Sequence, residues 1–340
     1  MGCNSVIFGC EAYSLTDWEK GFFSEINPYG FILFARNCDT PEQIRNLISE
    51  LRDLSGRDDL PVLVDQEGGR VARLRPPHWR RTPPAAVFGK LYEVNPEKAL
   101  RAAYLNSCLI SHELTDLGFT VDCAPVLDLT IPGAHEIVGD RSYGATPEQV
   151  AAIGRVVSEG FLDSGVMPVV KHLPGHGRAM VDSHKELPRV DTQKSELTSS
   201  DFEAFRLMND APWGMTAHVI YQDIDPDNIA TVSEKVIQEI IRGEIGFEGI
   251  LLSDDLSMKA MHGTYEERAR TALQSGCDLA LHCNGDQVEM QAVAKGLTSI
   301  DNAKSVRLES TWNLRKTTEI DWDDALAELT TLISPYWPET

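Results

Sequence analysis

No stretch of the 340 residues is apolar for long enough to cross a bilayer, so a transmembrane α-helix is not expected. A secretory signal is not expected either. The opening MGCNSVIFGCEAYSLTDWEK has no basic residue before Lys20, and Glu11 interrupts its apolar run. The Met-Gly start lacks the Ser or Thr that myristoylation requires at the sixth position, where Val6 stands. Positive charge is scarce: 31 Lys and Arg face 52 Asp and Glu, a formal net charge of −21. That balance argues against general affinity for nucleic acid or anionic lipid, because phosphates need a positive surface, and it confines any basic site to a local cluster. Cysteine is sparse and odd in number, at seven. Several lie in apolar stretches, as Cys123 does in TVDCAPVLDL, and they read as buried, reduced thiols of a cytoplasmic protein.

What is there is an ordinary globular composition, 42% hydrophobic and 24% charged, which calls for a folded chain with a sizeable core. Short runs rich in Val, Ile, Leu and Phe recur with helix-like segments between them. They are SVIFGC from Ser5, GFILFA from Gly30, PVLVD from Pro61, TVDCAP from Thr120, PVVKH from Pro168, GMTAH from Gly214, GILLS from Gly249 and DLALHC from Asp278. Fully apolar strands alternating with helices are the pattern of a parallel sheet covered on both faces.

The helices carry their own punctuation. TPEQ occurs at Thr40–Gln43 and at Thr146–Gln149, each with a hydroxyl at the N-cap and Pro at the first helical position. Gly56, Gly118, Gly165, Gly246 and Gly276 stand where helices should end. Eight runs with no visible linker predict an α/β protein, a single-domain (β/α)8 TIM barrel over residues 1–340 with a helical tail from about residue 298. A doubly wound sheet would show fewer strands, usually about five or six. RPPHWRRTPPAAVFG from Arg75 and GHGRAMVDSH from Gly175 are read as long loops that follow strands, the loops that build the active face of a barrel.

Ionisable residues gather at the expected strand ends. The third run ends in Asp65, followed by QEGGRVAR. GDRSYG with Arg141 follows the fourth, Lys171 and His172 end the fifth, His218 ends the sixth, and Ser253-Asp254-Asp255 ends the seventh. KHLPGHGRAMVDSH then packs Lys171, His172, His176, Asp182 and His184 into one short stretch. Three readings compete: a metal site, histidines that only brace loops, and a recognition site. The spacing does not match HExxH, and Lys171 beside His172 adds positive charge where a cation would bind.

The third reading rests on a resemblance. DQEGGRVARL, APVLDL, GDRSYG, KHLPGHGRAMVDSH, MTAHVIY, ATVS, GFEGILLSDDLSM and SGCDLALHCN resemble, in the same order, segments of the short bacterial β-N-acetylglucosaminidases of glycoside hydrolase family 3. They span Asp65 to Asn284, and one departure is Leu173 where that family usually has Phe. The resemblance implies a retaining glycosidase whose nucleophile is Asp254, with His184 as general acid/base and Asp182 holding it. A strand-end carboxylate can attack the anomeric carbon, and an imidazole can protonate the leaving oxygen and then activate water.

Asp255 is the adjacent alternative for the nucleophile. Successive strand residues face opposite ways, so only one of the pair should aim at the sugar, while the other suits a cap. The resemblance also assigns Asp65, Arg73, Arg141, Lys171 and His172 to gripping a terminal N-acetylglucosamine. Against that stand two other readings, Arg141 as a structural ion pair with Asp140 or another acid and Arg73 as a surface arginine. His176 and His218 are expected to support the site. Gly175 and Gly177 at the start of the loop suggest that it moves and that closure completes the site.

The substrate that the resemblance implies is a small saccharide, a peptidoglycan fragment such as N-acetylglucosamine joined to 1,6-anhydro-N-acetylmuramic acid, from which the terminal β-linked N-acetylglucosamine is removed. No metal or organic cofactor, nucleic acid or membrane partner is expected, and the chain is expected to act as a cytoplasmic monomer. Other readings stay open: a phosphorylase for the same sugar, a family 3 β-glucosidase or β-xylosidase, a metal-dependent amidohydrolase, and a noncatalytic sugar-binding barrel. The glucosidases and xylosidases generally draw a Glu from a second domain, for which this chain is too short.

Overall fold

Each of the eight apolar runs becomes a strand of one closed parallel barrel. The computed structural model describes residues 2–133, 138–179, 187–318 and 320–338. The strands are β1 (Asn4–Gly9), β2 (Pro28–Leu33), β3 (Val62–Val64), β4 (Val121–Asp122), β5 (Met167–Leu173), β6 (Trp213–Thr216), β7 (Ile250–Asp255) and β8 (Leu279–His282). Neighbours in sequence are neighbours in the sheet, and β8 closes on β1 with Val6 opposite Ala280. With helices between the strands, this is a (β/α)8 barrel.

The two-residue period of a strand divides the core in two. Ile7, Ile32, Leu63, Val121, Val169, Trp213, Ile250 and Leu279 fill the barrel interior as one cluster. The alternate residues, among them Val6, Phe8, Phe31, Val62, Val64 and Val170, pack outward in the cluster shared with the helices. This double burial is why the strands read as unbroken apolar runs.

The helices start and stop as the sequence suggests. Thr40 and Thr146 accept hydrogen bonds from Gln43 N and Gln149 N, and Gly56 and Gly118 end their helices in the left-handed region at φ 64° and 98°. Gln149 turns its side chain away from the helix start and donates instead to Tyr143 O (2.8 Å) and Gly89 O (3.2 Å). It thereby ties down the segment that carries Arg141.

The tail holds two helices, Asn302–Trp312 and Trp322–Ile333. The first brings Trp312 to Trp213 at the N-terminal end of the barrel, with ring centroids 5.8 Å apart, and Tyr29 lies 6.1 Å from Trp213 on another side. These aromatics close the end opposite the strand C-termini. No helix among the described residues is long and apolar enough to cross a membrane.

Three details differ from the sequence reading. The segment from Arg75 is a loop only as far as Pro84, because Ala85–Val94 is helical. A separate parallel pair joins Arg189–Val190 to Ile220–Tyr221. Five of the seven cysteines are buried, but Cys3 and Cys38 are only partly so; all seven are free thiols.

Trp213 is fully buried and fills the interior at the end that the tail helix covers. Trp213→Ala should cost about 3–5 kcal/mol of stability, read as a shift of the denaturant midpoint. A loss under about 1 kcal/mol would contradict this packing.

Candidate active site

Because all eight strands run the same way, their C-terminal ends open on one mouth. β3 stops at Val64, and the loop that follows is stapled by Gln66. Its Oε1 accepts from Arg73 N (2.8 Å) and Leu74 N (3.0 Å), and its Nε2 donates to Leu74 O (3.0 Å). Gly68, at φ 101°, makes the turn; a Cβ there would lie 2.2 Å from Pro83 O. The staple holds Asp65, Glu67 and Arg73 together at the mouth.

Lys171, from β5, meets that loop. Its side chain is 3% exposed, with Nζ 2.8 Å from Asp65 Oδ1 and 2.7 Å from Glu67 Oε1. Arg73 Nη2 holds the other Asp65 oxygen at 2.9 Å. Arg141 grips Glu67 with two parallel bonds, Nε to Oε2 and Nη2 to Oε1, both 2.8 Å. Of the acids weighed for Arg141, the partner is thus Glu67, while the adjacent Asp140 pairs with Arg70.

Burial would raise both carboxyls, yet the cations win. Lys171 and Arg73 hold Asp65 well below the usual carboxylate range, and Arg141 with Lys171 brings Glu67 down to about 2. Burial likewise opposes the Lys171 charge, but the two carboxylates keep it firmly protonated. Glu67 carries as much of this network as Asp65, and the sequence reading assigned it no role. Its signal was a second carboxylate two residues past a strand-end Asp.

Asp128, after β4, is a second residue to which the sequence reading gives no role. Fully buried, it accepts from His172 Nδ1 at 2.6 Å, from His176 N at 2.6 Å and from His172 N at 3.3 Å. Burial works against its charge, but His172 and the other donors bring it down to about 2. A one-residue register shift between Lys171 and Leu173 lets both Lys171 and His172 line the cavity, although strand residues normally alternate. Burial, with His172 alongside, lowers His176 to about 4, so its imidazole is neutral at pH 7.

Asp254 and Asp255 end β7, and both line the cavity, contrary to the expectation that only one would. A register shift between β7 and β8 accompanies this. Their environments differ. Asp255 caps a turn, with Oδ1 accepting from Ser257 N (3.0 Å) and Cys283 N (3.1 Å) and Oδ2 from Ser257 Oγ (2.6 Å). Asp254 Oδ1 accepts from Asp255 N at 2.8 Å, and its own N–H donates to Thr216 Oγ1 at 3.2 Å. Behind them the fully buried His218 donates from Nε2 to Asp255 O (2.9 Å), with Nδ1 against Thr231 Oγ1 (2.7 Å). His218 thus braces the strand end from behind.

Asp65, Glu67, Arg73, Arg141, Lys171, His172, His176, Asp254 and Asp255 border one cavity of about 160 Å3, with Phe34, Met215, Met258 and Leu281 as its apolar wall. It has room for one small polar ligand. Asp182 and His184, and the closure expected of their loop, lie outside the described residues. Among the described residues no three or more His, Cys, Asp and Glu are arranged to hold a metal ion.

A parallel barrel whose mouth gathers carboxylates and compensated cations around a pocket of this size has the architecture of a glycoside hydrolase. Residues 23–310 match the model of the glycosyl hydrolase family 3 N-terminal domain. The chain belongs to glycoside hydrolase family 3. It is 39% identical over 307 residues to a beta-hexosaminidase of Alkalilimnicola ehrlichii, covering 89% of this chain and 87% of that one. A beta-hexosaminidase of Tolumonas auensis is 37% identical over 90% of this chain and 89% of its own. The crystal structure of NagZ from Neisseria gonorrhoeae in complex with N-trifluoroacetyl-D-glucosamine superposes with a TM-score of 0.87 at 31% identity, covering 98% of this chain and 99% of that one. The resemblance is therefore to the short NagZ-type members of the family.

The buried acids fix the pH response. Glu67 and Asp128 titrate near 2 when folded, so their stabilisation is complete above about pH 4.5 and is lost as pH falls from there toward 2. Asp122 has the opposite sign. Burial, relieved by one hydrogen bond from Gln66 N (2.9 Å), raises it to about 8. Between about pH 4 and 8 the folded chain keeps a proton that the unfolded chain has released, and stability falls as pH rises. Asp122→Asn keeps the acceptor without the ionisation. It should melt higher than the parent at pH 8 and flatten the decline between pH 4 and 8; parallel melting curves for the two proteins would contradict this.

Proposed function

We infer that this β-N-acetylhexosaminidase is a retaining exo-enzyme that removes a terminal β-linked N-acetylglucosamine from peptidoglycan fragments such as N-acetylglucosaminyl-1,6-anhydro-N-acetylmuramic acid. The observation that carries the reading is the convergence of Asp254 with Asp65, Arg73, Lys171 and His172 on one small pocket, in a chain whose relatives are named beta-hexosaminidases. A pocket rather than a groove suits removal of one sugar from a chain end. The Neisseria gonorrhoeae NagZ complex, with a glucosamine derivative bound, supports the sugar.

In this mechanism Asp254 attacks the anomeric carbon as the bond to the leaving oxygen breaks, and the pair passes through an oxocarbenium-like transition state to a glycosyl ester. Asp255 N–H, 2.8 Å from Asp254 Oδ1, aims the carboxylate. His184 gives its proton to the departing oxygen, then takes one from the water that cleaves the ester and restores the Asp254 carboxylate. Asp182 sets the tautomer of His184. Asp65 accepts from sugar hydroxyls, while Arg73, Arg141 and Lys171 donate. The seven free thiols suit the cytoplasm, and one chain holds the whole set of residues, so a monomer suffices.

Purified protein should hydrolyse 4-nitrophenyl β-N-acetylglucosaminide in clear preference to the β-glucoside, undiminished by EDTA and not accelerated by phosphate. No turnover of either sugar would overturn the reading. Loss to EDTA would favour a metal-dependent hydrolase, and dependence on phosphate a phosphorylase. Asp254→Ala should lower kcat by at least about 10⁴-fold. His184→Ala should lower it by roughly 10²–10⁴-fold on the disaccharide but far less on the aryl glycoside, whose leaving group hardly needs a proton. Equal losses on both substrates would contradict the acid/base role.

A further inference from the structure

Asp128 makes no contribution to the mechanism above, yet one fully buried carboxylate there accepts three hydrogen bonds from β5 and the segment after it. They come from His172 Nδ1 and His176 N, both at 2.6 Å, and from His172 N at 3.3 Å. An ionised carboxylate only accepts, so the proton shared with His172 lies on Nδ1. Nε2, on the opposite edge of a ring that lines the cavity, has no hydrogen-bond partner among the described residues, and the side chain is 12% exposed. In the neutral ring it is a lone-pair acceptor.

We propose that Asp128 is a positioning residue: it fixes His172 with Nε2 presented to the cavity as an acceptor for a hydroxyl of the bound sugar, and by holding His176 N–H it pins the turn between the two histidines. The sugar-facing half of this rests on the glycosidase reading; the tautomer does not. The surroundings give the acceptor a purpose. Lys171, Arg73 and Arg141 are donors only, and Asp65 already accepts from Lys171 and Arg73. His172 therefore adds an uncharged acceptor beside the carboxylates of the mouth, one that engages a ligand oxygen only if it carries hydrogen. The ring of His176 stands 5.6 Å from that of His172 and stays neutral beside it, so it does not turn His172 into a competing charge pair.

The tautomer is read directly by long-range ¹H–¹⁵N correlation on the whole protein labelled at histidine, with His172→Gln assigning the signal. At a pH where the ring is neutral, the wild type should show His172 protonated at Nδ1 and bare at Nε2. In Asp128→Asn the amide oxygen still accepts from the backbone, but its NH₂ donates to Nδ1 and moves the ring proton to Nε2. KM for 4-nitrophenyl β-N-acetylglucosaminide should then rise about tenfold, the worth of one lost polar contact, with a smaller change in kcat. In a His172→Ala background the same change should add under about twofold, because residues that act through one another are not additive.

An Nε2–H tautomer in the wild type would overturn the proposal, and so would effects of Asp128→Asn and His172→Ala that multiply. Should Asp128→Asn not fold, the wild-type spectrum alone decides. If the protein keeps the Nδ1–H tautomer but added N-acetylglucosamine leaves the His172 signal unmoved, the sugar reading fails and the positioning role stands.

Discussion

The Lys171 ammonium is the interaction on which the mouth of this barrel depends. It is almost wholly removed from water and held between Asp65 and Glu67 at 2.8 and 2.7 Å. A buried charge is tolerated only when it is paired and hydrogen-bonded, and removing one partner of such a pair typically costs about 3–5 kcal/mol. The ammonium therefore draws the loop after β3 against β5. Glu67, shared with Arg141, draws in the segment after β4 as well. Three strand ends distant in sequence acquire one fixed geometry from a single set of charges.

That network also restricts what the pocket suits. Each cation bordering it already faces a carboxylate: Lys171 and Arg73 on Asp65, Arg141 on Glu67. Asp254 and Asp255 add further negative charge across the cavity. An anion would find its positive partners engaged, whereas a neutral, hydroxyl-rich ligand meets oriented donors and acceptors without having to compensate a charge. Preorganisation of this kind costs the ligand little and keeps the polar groups aligned while charge develops in a transition state. The apolar wall of Phe34, Met215, Met258 and Leu281 complements it, since a sugar ring has apolar C–H faces.

The barrel was legible because it is written in local pattern. All eight apolar runs lie on strands, since burial on both sides makes the strands themselves apolar, and Thr40, Thr146, Gly56 and Gly118 mark helix ends by chemistry confined to a few residues. The charged residues at strand ends were also readable, and Asp65, Arg73, Arg141, Lys171, His172 and Asp254 do meet in one cavity. What escaped was which charge holds which. Glu67 finds Arg141 74 residues away, and Asp128 finds His172 44 residues away, pairings set only when the barrel closes. Arg141 does pair with an acid, but its sequence neighbour Asp140 pairs with Arg70 instead. The register shifts that turn both Lys171 and His172, and both Asp254 and Asp255, toward the cavity were equally hidden, because a strict two-residue alternation forbids them.

The central claim, that Asp254 carries the sugar as a covalent ester, is tested most directly by trapping it. The His184→Ala protein, mixed rapidly with an activated aryl β-N-acetylglucosaminide and quenched in acid, should gain the mass of one N-acetylhexosaminyl group, located on the peptide that contains Asp254. An adduct on any other residue, or undiminished turnover by Asp254→Ala, would contradict it.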